Sequence, residues 1–252
     1  MGIDYAHYVV PASSAWDFDP TPDQLGATLS VLVDGGWIDP AAEVLLQTVP
    51  LAAPLGAKPK RKPVKLKKLR GGFDPALAWT AEFRSPHAPP TVRSDGLSTL
   101  YDFEQEGTLR APFVTRVRLL CPRLLAVLPG DSEGATTVPC PECRAELTRP
   151  THALWPPSLG SDLGIELGLP RVCAHCLTPI DPGQLVGFDR SALTGMQARE
   201  PAPFFRVALV LHPAPKATPG QAGLSTARTD PGLLQGLHQA TGVPWRGAGL
   251  WT

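Results

Sequence analysis

The chain has 252 residues, 43% hydrophobic and 18% charged, with no net charge at neutral pH. That length buries the core of one large domain or two small ones, and the composition argues against a largely disordered chain. No run of 18 or more apolar residues occurs, so no membrane-spanning helix is expected.

The 30 prolines and 24 glycines predict short elements joined by stiffened loops. Charge is unevenly spread: residues 1–57 hold seven acids and no Lys or Arg, while residues 58–70 hold eight bases and no acid. The start, Met1-Gly2-Ile3-Asp4-Tyr5, has neither a basic region nor the apolar run of a signal peptide. Ala6 stands where a myristoylation signal wants Ser or Thr.

Residues 5–10 are rich in aromatic and β-branched side chains and predict a strand. Thr21, Pro22 and Gln24 read as N-cap, first helical position and capping-box partner. Leu25, Leu29, Leu32 and Val33 then fall on one helical stripe, and Gly35-Gly36 supplies the stop. Trp37-Ile38 is expected to open an extended segment, and residues 41–56 are apolar without a clear period. Leu77, Trp79, Ala81 and Phe83 alternate with polar residues and predict a strand over 77–84. Further strands are expected at 97–103, 114–120, 124–128 and 204–211. Cys121, at the end of an apolar run, reads as a buried structural thiol. Asp230-Pro231 opens a second helix with Leu233, Leu234, Leu237 and Ala240 on one stripe; Gly242 closes it, and residues 243–251 return as a strand.

Residues 21–37 and 229–245 align Thr21 with Thr229, Leu25 with Leu233, Leu29 with Leu237 and Trp37 with Trp245. An internal duplication and two ordinary capped helices on one sheet both produce that pattern.

Four cysteines form two matched pairs, Cys140-Pro-Glu-Cys143 and Cys173-Ala-His-Cys176. At this spacing one tight turn points two thiolates at one metal, and two facing turns complete the tetrahedral sulfur shell of structural Zn²⁺. Four thiolates leave no open position for a reactive water. Iron in a rubredoxin-like site fits the same sulfur geometry. The metal would pin residues 144–172, which hold four prolines. Leu147, Trp155, Ile165 and Leu167 are candidates to pack round it, and Arg144 and Arg171 to offset its negative charge. His175 is expected at the surface.

The runs Pro139-Cys140-Pro141-Glu142-Cys143-Arg144 and Cys173-Ala174-His175-Cys176-Leu177 resemble the knuckles of zinc-ribbon proteins over about 40 residues. The resemblance implies two knuckles at the tips of β-hairpins and a place in nucleic-acid or protein-binding machinery. One departure is clear: the glycine usual after the second cysteine is replaced by Arg144 and Leu177.

The basic run carries Lys58, Lys60, Arg61, Lys62, Lys65, Lys67, Lys68 and Arg70, including six of the chain's seven lysines. Pro59 and Pro63 disfavour a helix in its first half. It reads as a flexible arm meeting a polyanion, as a solvated loop, or as a partner for the acidic first 57 residues. No aromatic residue is interleaved, so base stacking by the run is not indicated.

No nucleophile elbow, phosphate loop or His-x-x-x-His pair is present. His212 ends the strongest predicted strand, where a satisfied histidine is commoner than a catalytic one. Asp102, Glu104 and Glu106 read as a solvated acidic loop, with weak divalent-cation binding as the alternative. The expected architecture is mixed α/β or α+β: strand–helix–strand units at both ends and an inserted zinc-ribbon-like module. Five segments follow: an N-terminal lobe (1–56), a basic arm or loop (57–72), a β-rich segment (73–137), the metal module (138–184) and a C-terminal lobe (185–252). The leading expectation is a cytoplasmic, zinc-stabilised, non-enzymatic interaction or scaffold protein with a protein partner and no membrane. A nucleic-acid-associated protein and an enzyme with an unrecognised site are the alternatives.

Overall fold

The computed structural model describes residues 5–12, 15, 17–53, 58–70, 73–74, 76–87, 108–122, 126–127, 136–145, 147, 172–181, 185, 187–191, 195–199, 204–213 and 228–251. Strand β1 (Tyr5–Pro11) leads to helix α1 (Pro22–Asp34). The capping box forms as predicted: Gln24 N donates to Thr21 Oγ1 at 3.3 Å, and Thr21 N donates to Gln24 Oε1 at 2.9 Å. The helix ends where Gly36 takes a φ of 70°, which favours glycine. Trp37 and Ile38 do not begin a strand. Their N–H groups bond back to Leu32 O and their side chains are buried, so they seal the helix end inside the core.

Strand β2 (Glu43–Pro50) occupies the apolar segment that showed no clear period. Strand β3 (Lys60–Lys65) and the short helix α2 (Leu66–Arg70) follow, so the basic run is an ordered edge rather than a flexible arm. Strand β4 (Leu77–Arg84), a parallel-pairing fragment β5 (Thr108–Leu109) and strand β6 (Val114–Cys121) come next. Fragments β7 (Ala126–Val127) and β8 (Thr136–Thr137) precede the cysteines; β9 (Gly187–Ser191), β10 (Gly195–Arg199) and β11 (Phe204–Phe205) follow them. The predicted strand over 204–211 is broken after β11, and β12 (Ala208–Pro213) carries the rest. Fragment β13 (Arg228–Thr229), helix α3 (Pro231–Thr241) and strand β14 (Trp245–Trp251) complete the chain. Asp230 caps α3 through Gly232 N at 2.8 Å, and Gly242 closes it at a φ of 79°. The strand expected at 97–103 and the acidic residues Asp102, Glu104 and Glu106 lie outside the described residues.

Seven strands form one sheet in the order β14-β1-β12-β6-β4-β2-β3, with every neighbouring pair antiparallel. The fold is α+β. The N-terminal strand sits between the two C-terminal ones, so both ends of the chain share the sheet. Helix α1 joins β1 to β2 across three intervening strands, whereas α3 joins β12 to β14 across β1 alone. The two strand–helix–strand units therefore differ in their connection.

Alternation places Val9, Val44, Leu46, Ala81, Phe83, Val117, Leu119, Leu209 and Leu211 on one sheet face, where they share a core with Leu25, Leu29 and Leu32 of α1 and Leu233 and Leu237 of α3. Each buried leucine contributes about 1.5–3 kcal/mol, so the helices are held chiefly by this face. Gln24 Nε2 donates to Thr241 O at 2.8 Å, linking the start of α1 to the end of α3. Trp245 Nε1 donates to Thr241 Oγ1 at 2.9 Å, tying that helix end to β14. Cys121 is half-buried against the same core, and burial pushes its thiol up. The opposite face carries Tyr8, Val10, Leu120, Phe205 and Val210 in a smaller cluster. On that face Glu82 lies between Arg116 and Arg118, at 3.6 and 3.7 Å.

His7 is fully buried at the junction of β1 and β13, with Nε2 2.7 Å from Thr229 Oγ1. Gly247, opposite Val9, leaves room for that pair: a Cβ there would overlap Thr229 Oγ1 and come within 2.7 Å of His7 Nε2. Gly247→Ala should cost about 1–3 kcal/mol in urea unfolding; an unchanged midpoint would contradict this packing. Burial lowers the pKa of His7 to about 4. His212 falls to about 3 through burial, with Arg116 and then Arg118 adding to the effect. Unfolded histidine protonates near 6.5, so between that value and these lowered ones the unfolded chain binds more protons. Stability should therefore be full above about pH 6.5 and fall as pH drops toward 4 and 3. His7→Asn should flatten the upper part of that decline, and a parent whose midpoint does not change over this range would count against both burials.

Candidate metal centre

The metal-ligand candidates converge. The sulfurs of Cys140, Cys143, Cys173 and Cys176 all lie within 4.8 Å of one another. Cys140 Sγ is 3.7 Å from Cys176 Sγ, and Cys143 Sγ is 3.7 Å from Cys173 Sγ. A tetrahedron of thiolates about 2.3 Å from a central Zn²⁺ has edges of about 3.8 Å, so the spacing suits a metal and is far too long for a disulfide.

Each cysteine pair is held by the same local turn. Arg144 N donates to Cys140 O at 3.0 Å and Cys140 N to Ala145 O at 2.7 Å. The second turn repeats this: Leu177 N donates to Cys173 O at 2.9 Å and Cys173 N to Thr178 O at 2.9 Å. The residues that replace the usual glycine pay for it in conformation, since Arg144 has a φ of 62° and Leu177 a φ of 60°. The left-handed region costs a side-chain-bearing residue about 1–2 kcal/mol. Leu177 is also 75% exposed, so no burial offsets that strain.

The turns sit on a small core of their own. Val138, Cys140, Leu147, Cys173 and Leu185 are buried together, with Ala145 and Ile180 packed against them. Leu147 N donates to Val138 O at 2.8 Å, and Val172 bridges Pro179 across the second turn. Leu147 thus packs where the sequence places it; Trp155, Ile165, Leu167 and Arg171 lie outside the described residues. His175 and Arg144 are exposed.

Apposed thiols cannot all ionise together without a cation. In the Cys143 thiol the Ala145 backbone N–H lowers the pKa, but desolvation and hydrogen bonds to the other three cysteines outweigh it and push the value up to about 12. Cys176 is drawn down to about 6, first by the Thr178 hydroxyl, whose oxygen is 3.2 Å from its sulfur, and then by the Thr178 backbone N–H. A divalent cation at the centre reverses this repulsion and releases the remaining protons. Bound there, it would supply cross-linking and no open coordination position.

The sheet offers a weaker case for chemistry. His212 Nε2 is buried without a hydrogen-bond partner beside Arg116, its cross-strand neighbour. A histidine that protonates only near pH 3 is a poor general base at neutral pH. The eight bases of the basic run lie along β3 and α2, with Lys58 two residues ahead of β3, and none of them belongs to the cysteine group. Sequence reasoning missed Thr178 as a partner of the cluster, although its place two residues after the last cysteine, matching Ala145 after Cys143, is a readable signal. No helix among the described residues is long and apolar enough to cross a membrane. No family model matches the chain, and no curated protein or solved structure does either.

Replacing Arg144 or Leu177 by glycine should relieve the left-handed strain and tighten metal binding by about five- to thirtyfold in competition with a chromophoric chelator. Weaker binding by both variants would show that these side chains support the turns in another way.

Proposed function

We propose that the chain is a zinc-stabilised, non-enzymatic interaction or scaffold protein of the cytosol. The observation that carries the reading is the convergence of four cysteine sulfurs within 4.8 Å from two turns of identical hydrogen bonding. Cys140, Cys143, Cys173 and Cys176 hold one Zn²⁺ in a closed shell, in the manner of the zinc ribbons they resemble. The ion acts as a clamp on residues 138–184, a module round which the described residues form only a small buried cluster. Reduced thiols kept as ligands fit a reducing compartment. A closed shell also favours a structural ion over a reactive one, and a tip presented by a rigid clamp is suited to contacting another molecule.

Metal analysis of the purified chain should return about one zinc per chain, and Cys140→Ser with Cys173→Ser should abolish it. The main core shares no residue with the core round the cysteines. Removing the ion should therefore abolish capture of a protein partner while circular dichroism of the sheet and helices is retained. Iron in place of zinc would select the rubredoxin-like alternative, and absence of any metal would remove the reading.

A further inference from the structure

We propose that β3 and α2 form a rigid ledge that binds the phosphate backbone of nucleic acid. The proposal rests on the interaction-protein reading and names the class of partner. The segment is an edge strand hydrogen-bonded to β2 from Thr48 and Lys60 to Glu43 and Lys65. Val64 packs on the main core, and Leu66 and Leu69 are buried in it, which fixes α2 against the sheet edge. Gly26 of α1 leaves its Cα side 3.7 Å, measured from an added Cβ, from Arg70 O, so α2 ends against α1. The backbone carrying Lys60, Arg61, Lys62, Lys65, Lys67, Lys68 and Arg70 is therefore ordered, and every one of these side chains is exposed.

Their arrangement is directional. Lys62 is opposite Leu46 and Val64 opposite Val44, both core residues on the helix side of the sheet. Lys60 and Lys62 thus lie on the side of the sheet against which α2 packs through Leu66 and Leu69, and α2 adds the exposed Lys67, Lys68 and Arg70. A strand of six residues extends about 20 Å, close to the rise of about six nucleotides in one duplex strand.

Three observations favour phosphate over an acidic protein. First, Pro63 is paired with Leu45 in the ladder and has no N–H. That pair must be a non-hydrogen-bonded one, so the position of the missing donor faces the free edge and interrupts strand addition by a peptide. Second, the ledge exposes no aromatic or large aliphatic side chain: Leu66 and Leu69 point inward and Val64 is half-buried. Protein partners draw most of their affinity from such anchors, whereas phosphate binding needs none. Third, five of the chain's seven lysines are here. Lysine contacts phosphate as a compact point charge without demanding a bidentate register.

The metal-loaded full chain should bind a fluorescein-labelled DNA duplex of mixed sequence in an anisotropy titration. Affinity should fall steeply between about 50 and 200 mM salt, with a log–log slope of about −0.9 per phosphate contact. The combined variant Lys60→Gln, Lys62→Gln, Lys67→Gln, Lys68→Gln should lose at least about tenfold in affinity and show a shallower slope. Its zinc content and thermal midpoint should match the parent, and Arg228→Gln, an exposed charge elsewhere, should bind as the parent does. Single-stranded RNA replacing DNA with the same ledge dependence would support the proposal equally. No binding at low salt, an unchanged slope in the ledge variant, or competition by poly-glutamate as strong as by nucleic acid would overturn it. If the chain holds zinc and a protein partner but fails these titrations, only the ledge is refuted; if it holds no metal, the interaction reading fails on its own test.

Discussion

The hydrogen-bonded ladder between β6 and β12 is the constraint on which the molecule is organised. The two strands are neighbours in the sheet, with Leu120 opposite Ala208, yet residues 122–207 separate them in the chain. A long closed loop costs only slowly more entropy as it lengthens, so the sheet tolerates the excursion. The described strands within it are paired with one another. Phe205 pairs with Ala126 and Phe204 with Val127, then Asp189 with Thr136 and Phe188 with Thr137. The pairs are nested in sequence, and the two cysteine turns lie inside them along the chain. A cation held by the four sulfurs would close a second loop inside the first, where the described residues form a small apolar cluster.

This arrangement separates two kinds of stability. The seven-stranded sheet and its helices are held by a continuous apolar core, locked at one end by the link from Gln24 through Thr241 to Trp245. Among the described residues, the cysteine region has few buried side chains and two left-handed residues that work against it. On the proposed reading, coordination of a cation by the four sulfurs is what would order it. The basic ledge belongs to the first kind, because Val64, Leu66 and Leu69 reach the main core. Its lysines and its proline also keep an exposed sheet edge from pairing with other chains, a protective role that is compatible with phosphate contact.

What was legible in the sequence is what local chemistry decides. The caps at Thr21, Gln24, Asp230 and Gly242 are set by neighbours within a few residues, and they form as read. Alternation exposed β4 because one of its faces is apolar, and an apolar run marked β6. β2 was not legible: Gln47 is buried and Leu45 exposed, which spoils its period. β3 reads as a loop because lysine and proline are poor strand formers, and only its non-local pairing with β2 makes it a strand. Trp37 and Ile38 were misread since burial, not strand formation, explains their apolarity. At the cysteines the spacing revealed both turns, whereas the left-handed strain at Arg144 and Leu177 emerged only from the backbone. The distance between the turns depends on residues far apart in the chain, and that only the fold could supply.

X-ray absorption at the zinc edge of the purified chain tests the central claim most directly. The account predicts four sulfur neighbours at about 2.3 Å and no nitrogen or oxygen ligand. A mixed shell with oxygen or nitrogen, or no zinc signal at all, would contradict it.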